Sequence, residues 1–220
     1  MDLNDNIEFD FDFNINEDIS NETPYLDNET LQYKVKAKNT KTVELLKKEK
    51  LKTALNKLPL KNEYIHLISN GCYDYFTFIP TILDLIDYAD ELICSTWTMN
   101  RINVESLFKL FDKGQIKKID IITGLYFKRR ESAVYAKLIE GLKKRKQRYK
   151  SLKNHAKIIL LGNFKSNTYV VIEGSANFTA NPRIEQNIIT NNKGLYNFHK
   201  RWITDIIEKN HEQEIRYDGI

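Results

Sequence analysis

Short apolar runs alternate with stretches of helical periodicity from residue 61 onward. The runs have the length and the β-branched content of buried strands, and the stretches between them repeat apolar residues at spacings of three and four. The predicted strands are 64–69, 92–97, 119–123, 158–161, 169–172 and 188–190, and the predicted helices are 78–88, 104–113, 130–149 and 195–207. This alternation predicts an α/β fold with a mostly parallel, mixed sheet flanked by helices on both faces.

The segment that precedes residue 61 has a different pattern, rich in lysine and amphipathic. Its apolar residues recur along one side of a helix predicted over 42–58, and Pro59 ends that helix. The chain therefore divides into three predicted parts, which are an acidic arm over 1–30, a basic helical extension over 31–60 and a main domain over 61–220.

The formal net charge is +4, but it is distributed unevenly along the chain. Residues 1–30 contain ten Asp and Glu and neither Lys nor Arg, so the remainder carries 34 basic and 20 acidic side chains, a net charge of +14. A basic body of this kind favours a polyanionic partner, because neutralising phosphates releases condensed counterions. We therefore predict DNA or RNA as the partner, with Lys144, Arg145 and Arg148 along the phosphate backbone.

The acidic arm has a pattern of its own. Ile7, Phe9, Phe11, Phe13 and Ile15 alternate with acidic residues and Asn, a period of two that is typical of a strand. A solvated tail is the alternative interpretation, because the arm is acidic and rich in Asn. If the arm docks on the basic surface, it competes with nucleic acid for that surface.

The cysteines and the lengths of the apolar stretches indicate the cellular compartment. Cys72 and Cys94 are far apart in apolar surroundings, which favours buried reduced thiols over a disulfide. The amino terminus is acidic, and no apolar stretch approaches the roughly 20 residues that span a bilayer. We therefore expect no membrane partner. We expect the protein in the cytoplasm, which would be the host cytoplasm or the virion if a phage encodes it.

Two motifs at the edges of apolar runs carry the candidate chemistry. His155 and Lys157 are two residues apart, so in a strand they project from the same face and can reach one phosphoryl group. A second run ends in 174–177, Gly-Ser-Ala-Asn, where small residues let the backbone approach an anion closely. Glu185 follows shortly before another strand, so a carboxylate reaches the same end of the sheet.

These residues resemble the signature of the phospholipase D superfamily, H-x-K-x4-D followed by G-S-x-N and a later Glu. The match consists of His155, Lys157, Gly174, Ser175, Asn177 and Glu185, and Gly162 stands at the position of the signature Asp. The motif residues lie between 155 and 187, while the order of elements is similar from 61 to 207. The resemblance implies a phospholipase D-like hydrolase of the single-HxK, nuclease-like branch, which needs neither a metal ion nor a cofactor.

The resemblance also implies a role for each motif residue. His155 would form a phosphohistidine, Lys157 and Asn177 would hold the nonbridging oxygens, and Glu185 would accept a hydrogen bond from Nδ1 of the histidine. Ser175 would support the lysine or the loop, and Gly174 would shape the anion pocket. Because the chain has one HxK motif, a homodimer would be needed to bring two histidines to one phosphate.

Trp97 ends a predicted strand, where ligands collect in open parallel sheets. It either stacks on a base or fills the core. The leading function is a metal-independent nuclease acting on DNA or RNA. The alternatives are a nucleic-acid-binding or structural protein on the same fold that has lost turnover, including a phage-borne one, and a phospholipid phosphodiesterase.

Overall fold

Seven strands form one mixed sheet in the computed structural model, which describes residues 40–61, 63–179 and 183–208. The strands are β1 (Tyr64–Ser69), β2 (Glu91–Thr96), β3 (Ile119–Gly124), β4 (Arg148–Leu152), β5 (Ile158–Asn163), β6 (Thr168–Gly174) and β7 (Glu185–Asn191). The helices are α1 (Thr40–Ala54), α2 (Phe78–Ile86), α3 (Arg101–Asp112), α4 (Leu125–Arg130), α5 (Ser132–Lys144) and α6 (Lys193–Glu208). A 3₁₀ turn, Tyr75–Thr77, leads directly into α2.

The strand order is β1-β7-β6-β5-β2-β3-β4. The α/β class and the mixed sheet are confirmed, but the prediction of a mostly parallel sheet is wrong. Only the pairs β2–β3 and β3–β4 are parallel, and the other four pairs are antiparallel. Two of these four pairs, β5–β6 and β6–β7, join strands that are consecutive in the chain, and a short connection can join only antiparallel strands.

The helix predicted over 130–149 is also wrong in its extent. It is divided into α4 and α5, and the chain then turns into β4 at the edge of the sheet. Lys146 ends the helical path because it adopts a left-handed conformation with φ 54°, and the Gln147 amide then donates to the carbonyl of Leu142 at 2.9 Å. The strand was missed because every residue of β4 is half-buried, so the strand has no apolar run.

Consecutive residues of β2 belong to two different core clusters. Leu92 and Cys94 lie in the larger cluster, while Ile93 lies in the smaller one with residues of α6. This follows from the strand geometry, in which successive side chains point to opposite sides of the sheet. Leu51 of α1 and Leu55, which directly follows α1, are fully buried in the larger cluster, and full burial of a leucine contributes about 1.5–3 kcal/mol.

In the part of the chain that the structure describes, no helix combines the length and the apolar character needed to cross a membrane. Residues 40–208, with their gaps, belong to a unit that begins at Ala37. The acidic arm over 1–30 lies outside the described residues, so its predicted alternation and docking stay predictions.

Candidate functional site

The motif residues meet at one edge of the sheet. β2 ends where β5 begins, since Ser95 pairs with Ile158, and β6 ends where β7 begins, since Gly174 pairs with Asn187. His155 and Lys157 lie just before β5 rather than inside a strand as predicted. The carbonyl of Lys157 nevertheless accepts a hydrogen bond from the Gly174 amide at 3.2 Å, which joins the two motifs through the backbone.

The side chains of His155 and Lys157 are in direct contact. Nζ of Lys157 lies 2.8 Å from Nδ1 and 3.1 Å from Nε2 of His155. The lysine is buried, with 7% of its surface exposed, while the histidine faces solvent. Burial and the lysine charge lower the pKa of His155 below 6.5, which favours the neutral imidazole, a form in which one ring nitrogen can act as an acceptor.

Burial also lowers the pKa of Lys157 below 10.5, and the charge of Glu185 opposes that effect. Glu185 thus acts electrostatically on the lysine. Its carboxylate accepts a hydrogen bond from the hydroxyl of Ser175, not the bond from His155 that the sequence predicts. The Gln186 amide donates to the Ser175 hydroxyl at 3.0 Å, so Ser175 fixes the start of β7 and the carboxylate together.

Gly174 is required by the close approach of its neighbours. A Cβ atom at this position would lie 2.2 Å from Oδ1 of Asn187 and 3.0 Å from Cε2 of Tyr75. Both neighbours are buried, at 1% exposure each. Oδ1 of Asn187 has no hydrogen-bond partner among the described residues. The role of Gly174 is therefore to admit these two side chains beneath the turn.

Tyr75 is a site residue that the sequence analysis missed. Its hydroxyl lies 3.1 Å from the carbonyl oxygen of Lys157 and 2.6 Å from that of Ile172, so it bridges the start of β5 and the end of β6. Burial raises its pKa well above 10, which keeps the hydroxyl a donor. No sequence signal points to Tyr75, because it lies 82 positions before the lysine that it supports.

The side chain of Asn177 binds the backbone of Trp97. Oδ1 of Asn177 accepts a hydrogen bond from the Trp97 amide at 3.3 Å, and the amide nitrogen of the side chain is left as a donor. The Trp97 ring lies 5.8 Å from the His155 ring and stacks on Tyr126 at 4.5 Å with an interplanar angle of 12°. Trp97 is half-buried at the rim of the site rather than enclosed in the core.

Lys144, Arg145 and Arg148, which the sequence predicts to contact phosphates, lie away from the site. Arg148 pairs in register with Asp120 at the start of β3, four residues from the site end, or roughly 13 Å along the strand. It donates to both oxygens of the buried Asp120 carboxylate at 2.6 Å and to Glu208 at 2.7 Å. Arg145 is likewise paired with Asp112, while Lys144 stays exposed at the end of α5. The two arginines are thus held by carboxylates.

Gly162 stands at the far end of β5 from His155. It pairs in register with Glu91, and a Cβ on Gly162 would meet the Tyr196 hydroxyl at 2.6 Å. That hydroxyl donates to the Glu91 carboxylate at 2.9 Å, and Lys200 donates to the same oxygen. A buried carboxylate therefore comes from β2, beside the position that the superfamily signature gives to Asp.

Comparison with known proteins gives partial similarities to two solved structures. One is polyphosphate kinase from Porphyromonas gingivalis, with a TM-score of 0.48 and 14% identity over 68% of this chain and 27% of the kinase. The other is TrmBL2, an archaeal chromatin protein, with a TM-score of 0.48 and 16% identity over 82% of this chain and 64% of TrmBL2. This chain thus spans less than two thirds of either protein. No protein-family model and no curated protein matches the sequence.

Proposed function

We propose that this chain is a metal-independent phosphodiesterase of the phospholipase D type, with helices on both faces of its sheet, and that its substrate is nucleic acid. The observation that carries the proposal is the contact of Lys157 with His155, at 2.8 Å, on a sheet edge shared with Asn177 and Glu185. A neutral imidazole beside a buried ammonium suits attack on an anionic diester, because the first is a nucleophile and the second neutralises nonbridging oxygens.

The reaction begins when a ring nitrogen of His155 attacks phosphorus. A nitrogen–phosphorus bond forms, the bond from phosphorus to the leaving oxygen breaks, and a second histidine, which enters the reaction as the imidazolium, donates a proton to that oxygen. Water then attacks the phosphohistidine and gives its proton to the second histidine. The nitrogen–phosphorus bond breaks, which releases a phosphomonoester and returns the first ring to the neutral form and the second to the imidazolium. Lys157 and the side-chain amide of Asn177 stabilise the charge on the nonbridging oxygens in both steps.

The second histidine is His155 of another copy of the chain. The sequence contains one HxK motif, and a twofold axis brings a residue beside its own symmetry mate. His155 is exposed at the edge of the sheet, so a second copy can approach it. A homodimer is therefore part of the proposal.

Glycine at position 162 is compatible with turnover. The buried Glu91 carboxylate accepts from Tyr196 beside this position, so the polar interior at this end of the sheet keeps an acidic partner. Position 162 is five residues from Lys157 along the chain, or roughly 16 Å in an extended strand. Its side chain would therefore not reach the phosphate that His155 attacks.

The substrate is assigned from charge at the site edge. α4 begins directly after Gly124, where β3 reaches the site, and it ends in exposed Lys128, Arg129 and Arg130. Cations clustered beside a phosphate site raise the local concentration of a polyanion and supply affinity that does not depend on sequence.

The test is cleavage of labelled DNA and RNA, single- and double-stranded, in the presence of EDTA. Wild-type protein should cleave, His155→Ala and Lys157→Ala should not, and His66→Ala should cleave normally because His66 is an exposed residue of β1. Sedimentation should give a dimer. Activity that vanishes with EDTA and returns with magnesium would overturn the mechanism. Salt-sensitive binding by all four proteins without cleavage would make this chain a binding protein.

A further inference from the structure

A layered arrangement of aromatic and basic side chains stands next to His155. Tyr126 lies parallel to Trp97 at 4.5 Å, and Cζ of Arg130 lies 5.2 Å from the centre of the Tyr126 ring. The ring of Trp97 is in turn 5.8 Å from the ring of His155. We call Trp97, Tyr126 and Arg130 the aromatic platform.

The backbone is shaped to hold this platform. Gly124 immediately precedes α4, and a Cβ there would lie 2.5 Å from Cδ1 of Trp97 and 3.1 Å from the carbonyl oxygen of Asn154. Glycine therefore lets the indole lie flat against the junction of β3 and α4. Phe127 is fully buried and anchors α4, so the neighbouring Tyr126 is held at the surface.

Two of the three members of the platform are exposed, and the third, Trp97, is half-buried. Tyr126 keeps 36% of its surface in water, and Arg130 is exposed. The core is complete beneath them, since Phe127 packs edge-on against Tyr135. Trp97 stacks on Tyr126 and the guanidinium of Arg130 lies over the Tyr126 ring, so a planar ligand can extend this stack, because both arginine and aromatic faces attract such rings.

We propose that the aromatic platform is a stacking subsite for a nucleobase of a single-stranded polynucleotide whose phosphate lies at His155. This inference rests on the proposed function for the phosphate position. The two ring separations place Tyr126 within about 10 Å of His155, which is the reach of one to three nucleotides when each phosphate adds about 3.4 Å or more.

The same geometry selects single strands over duplexes. In a duplex both faces of each base are covered by neighbouring bases, so a platform at the rim of the site cannot stack on them. In a single strand the bases are free to turn onto an aromatic surface, and such stacking tolerates any base because each has a π-face. The subsite therefore favours unpaired DNA or RNA without reading its sequence.

The test compares two probes of equal charge, a thymidine dodecamer and an abasic dodecamer, bound to the His155→Ala protein so that nothing is cleaved. The thymidine probe should bind about tenfold more tightly, the usual effect of one base stacked on an aromatic ring. A uridine dodecamer shows whether RNA shares the preference. Adding Tyr126→Ala should abolish the difference, and Tyr126→Phe should restore it.

Two further variants control for a general effect of mutation on folding. Tyr64→Ala removes another exposed tyrosine, from β1, and should keep the tenfold preference. Arg130→Gln changes an exposed residue and should reduce the preference while lowering the slope of affinity against salt by about one charge. Equal binding of both probes to the His155→Ala protein, or a preference that survives Tyr126→Ala, would overturn the subsite.

Cleavage of bis(p-nitrophenyl) phosphate by the wild type separates this inference from the proposed function. If the small diester is cleaved but the two dodecamers bind equally, the subsite is wrong and the catalytic proposal stands. If neither the diester nor a polynucleotide is cleaved but the base preference depends on Tyr126, the subsite stands and the catalytic proposal is wrong.

Discussion

Nζ of Lys157 lies 2.8 Å from Nδ1 of His155, so a buried cation touches the imidazole that the proposed reaction needs in its neutral form. The ammonium can donate a hydrogen bond to the neutral ring but repels the protonated one. Partial desolvation of the ring acts in the same direction and is the larger cause. The two effects together lower the pKa of His155 below that of a free histidine.

Replacing Lys157 by methionine should raise the pKa of His155, because the repelling charge is lost while burial remains. The measurement is an NMR titration of the imidazole Cε1 protons, assigned with His155→Ala. Lys165→Met, at the exposed turn between β5 and β6, should leave the pKa of His155 unchanged. An equal or lower pKa of His155 in Lys157→Met would show that the lysine charge does not act on the ring.

The Glu185 carboxylate should set the alkaline limit of activity. Turnover is lost as pH rises through the pKa of Lys157, which burial already lowers below 10.5 and Glu185 partly restores. Glu185→Gln removes the restoring charge, so the alkaline limb of kcat/KM for a soluble diester should move to lower pH. Glu173→Gln, a carboxylate paired with His199, should leave the limb in place. A limb that moves upward, or moves in both variants, would contradict this role.

Gly174→Ala should lower the free energy of unfolding by about 1–3 kcal/mol, a typical cost of overpacking. The new methyl group would collide with the buried Asn187 and Tyr75 side chains. Gly194→Ala is the matched control, because its nearest neighbour is 3.3 Å away and alanine favours the helix that contains it. Urea denaturation should show the loss in the first variant alone, and equal stability of the two would show that the turn has room for a side chain.

Arg148→Met should destabilise the fold by about 3 kcal/mol, since it leaves the buried Asp120 carboxylate with a single cationic partner, Lys118. The hydrogen bond with Arg148 helps to lower the pKa of Asp120 against the effect of burial, so the carboxylate is charged in the native state. Nucleic-acid affinity should keep the same dependence on salt. An unchanged free energy of unfolding with a shallower salt slope would return Arg148 to the phosphate-binding surface that the sequence predicts.

The site could be predicted from the sequence to the extent that its parts are local. The strand over 64–69 has the same limits in the structure, and the HxK and Gly-Ser motifs meet at one sheet edge because adjacent strands carry them. The sheet direction could not be predicted from alternation, because β5, β6 and β7 are hairpin-connected strands with apolar runs like those of parallel strands.

The partners of the charged residues could not be predicted from the sequence, for a different reason. The predicted contact of Arg145 and Arg148 with phosphates treats both arginines as available, yet they are held by Asp112 and Asp120, each 28 or more positions away. Such pairs form only when distant strands and helices come together. The partner of Glu185 was also not predicted. Its carboxylate accepts a hydrogen bond from Ser175, which follows β6, and not from His155.

The bridge made by Tyr75 changes what counts as the minimal unit of this site. The strands β5, β6 and β7, which adjoin or carry the motif residues, are consecutive in the chain and look transferable to another sheet. Their backbone, however, is tied at Lys157 and Ile172 by a tyrosine that lies 82 and 97 positions earlier. A protein engineer who transplants these strands alone would move the reactive groups without Tyr75, whose hydrogen bonds set their spacing.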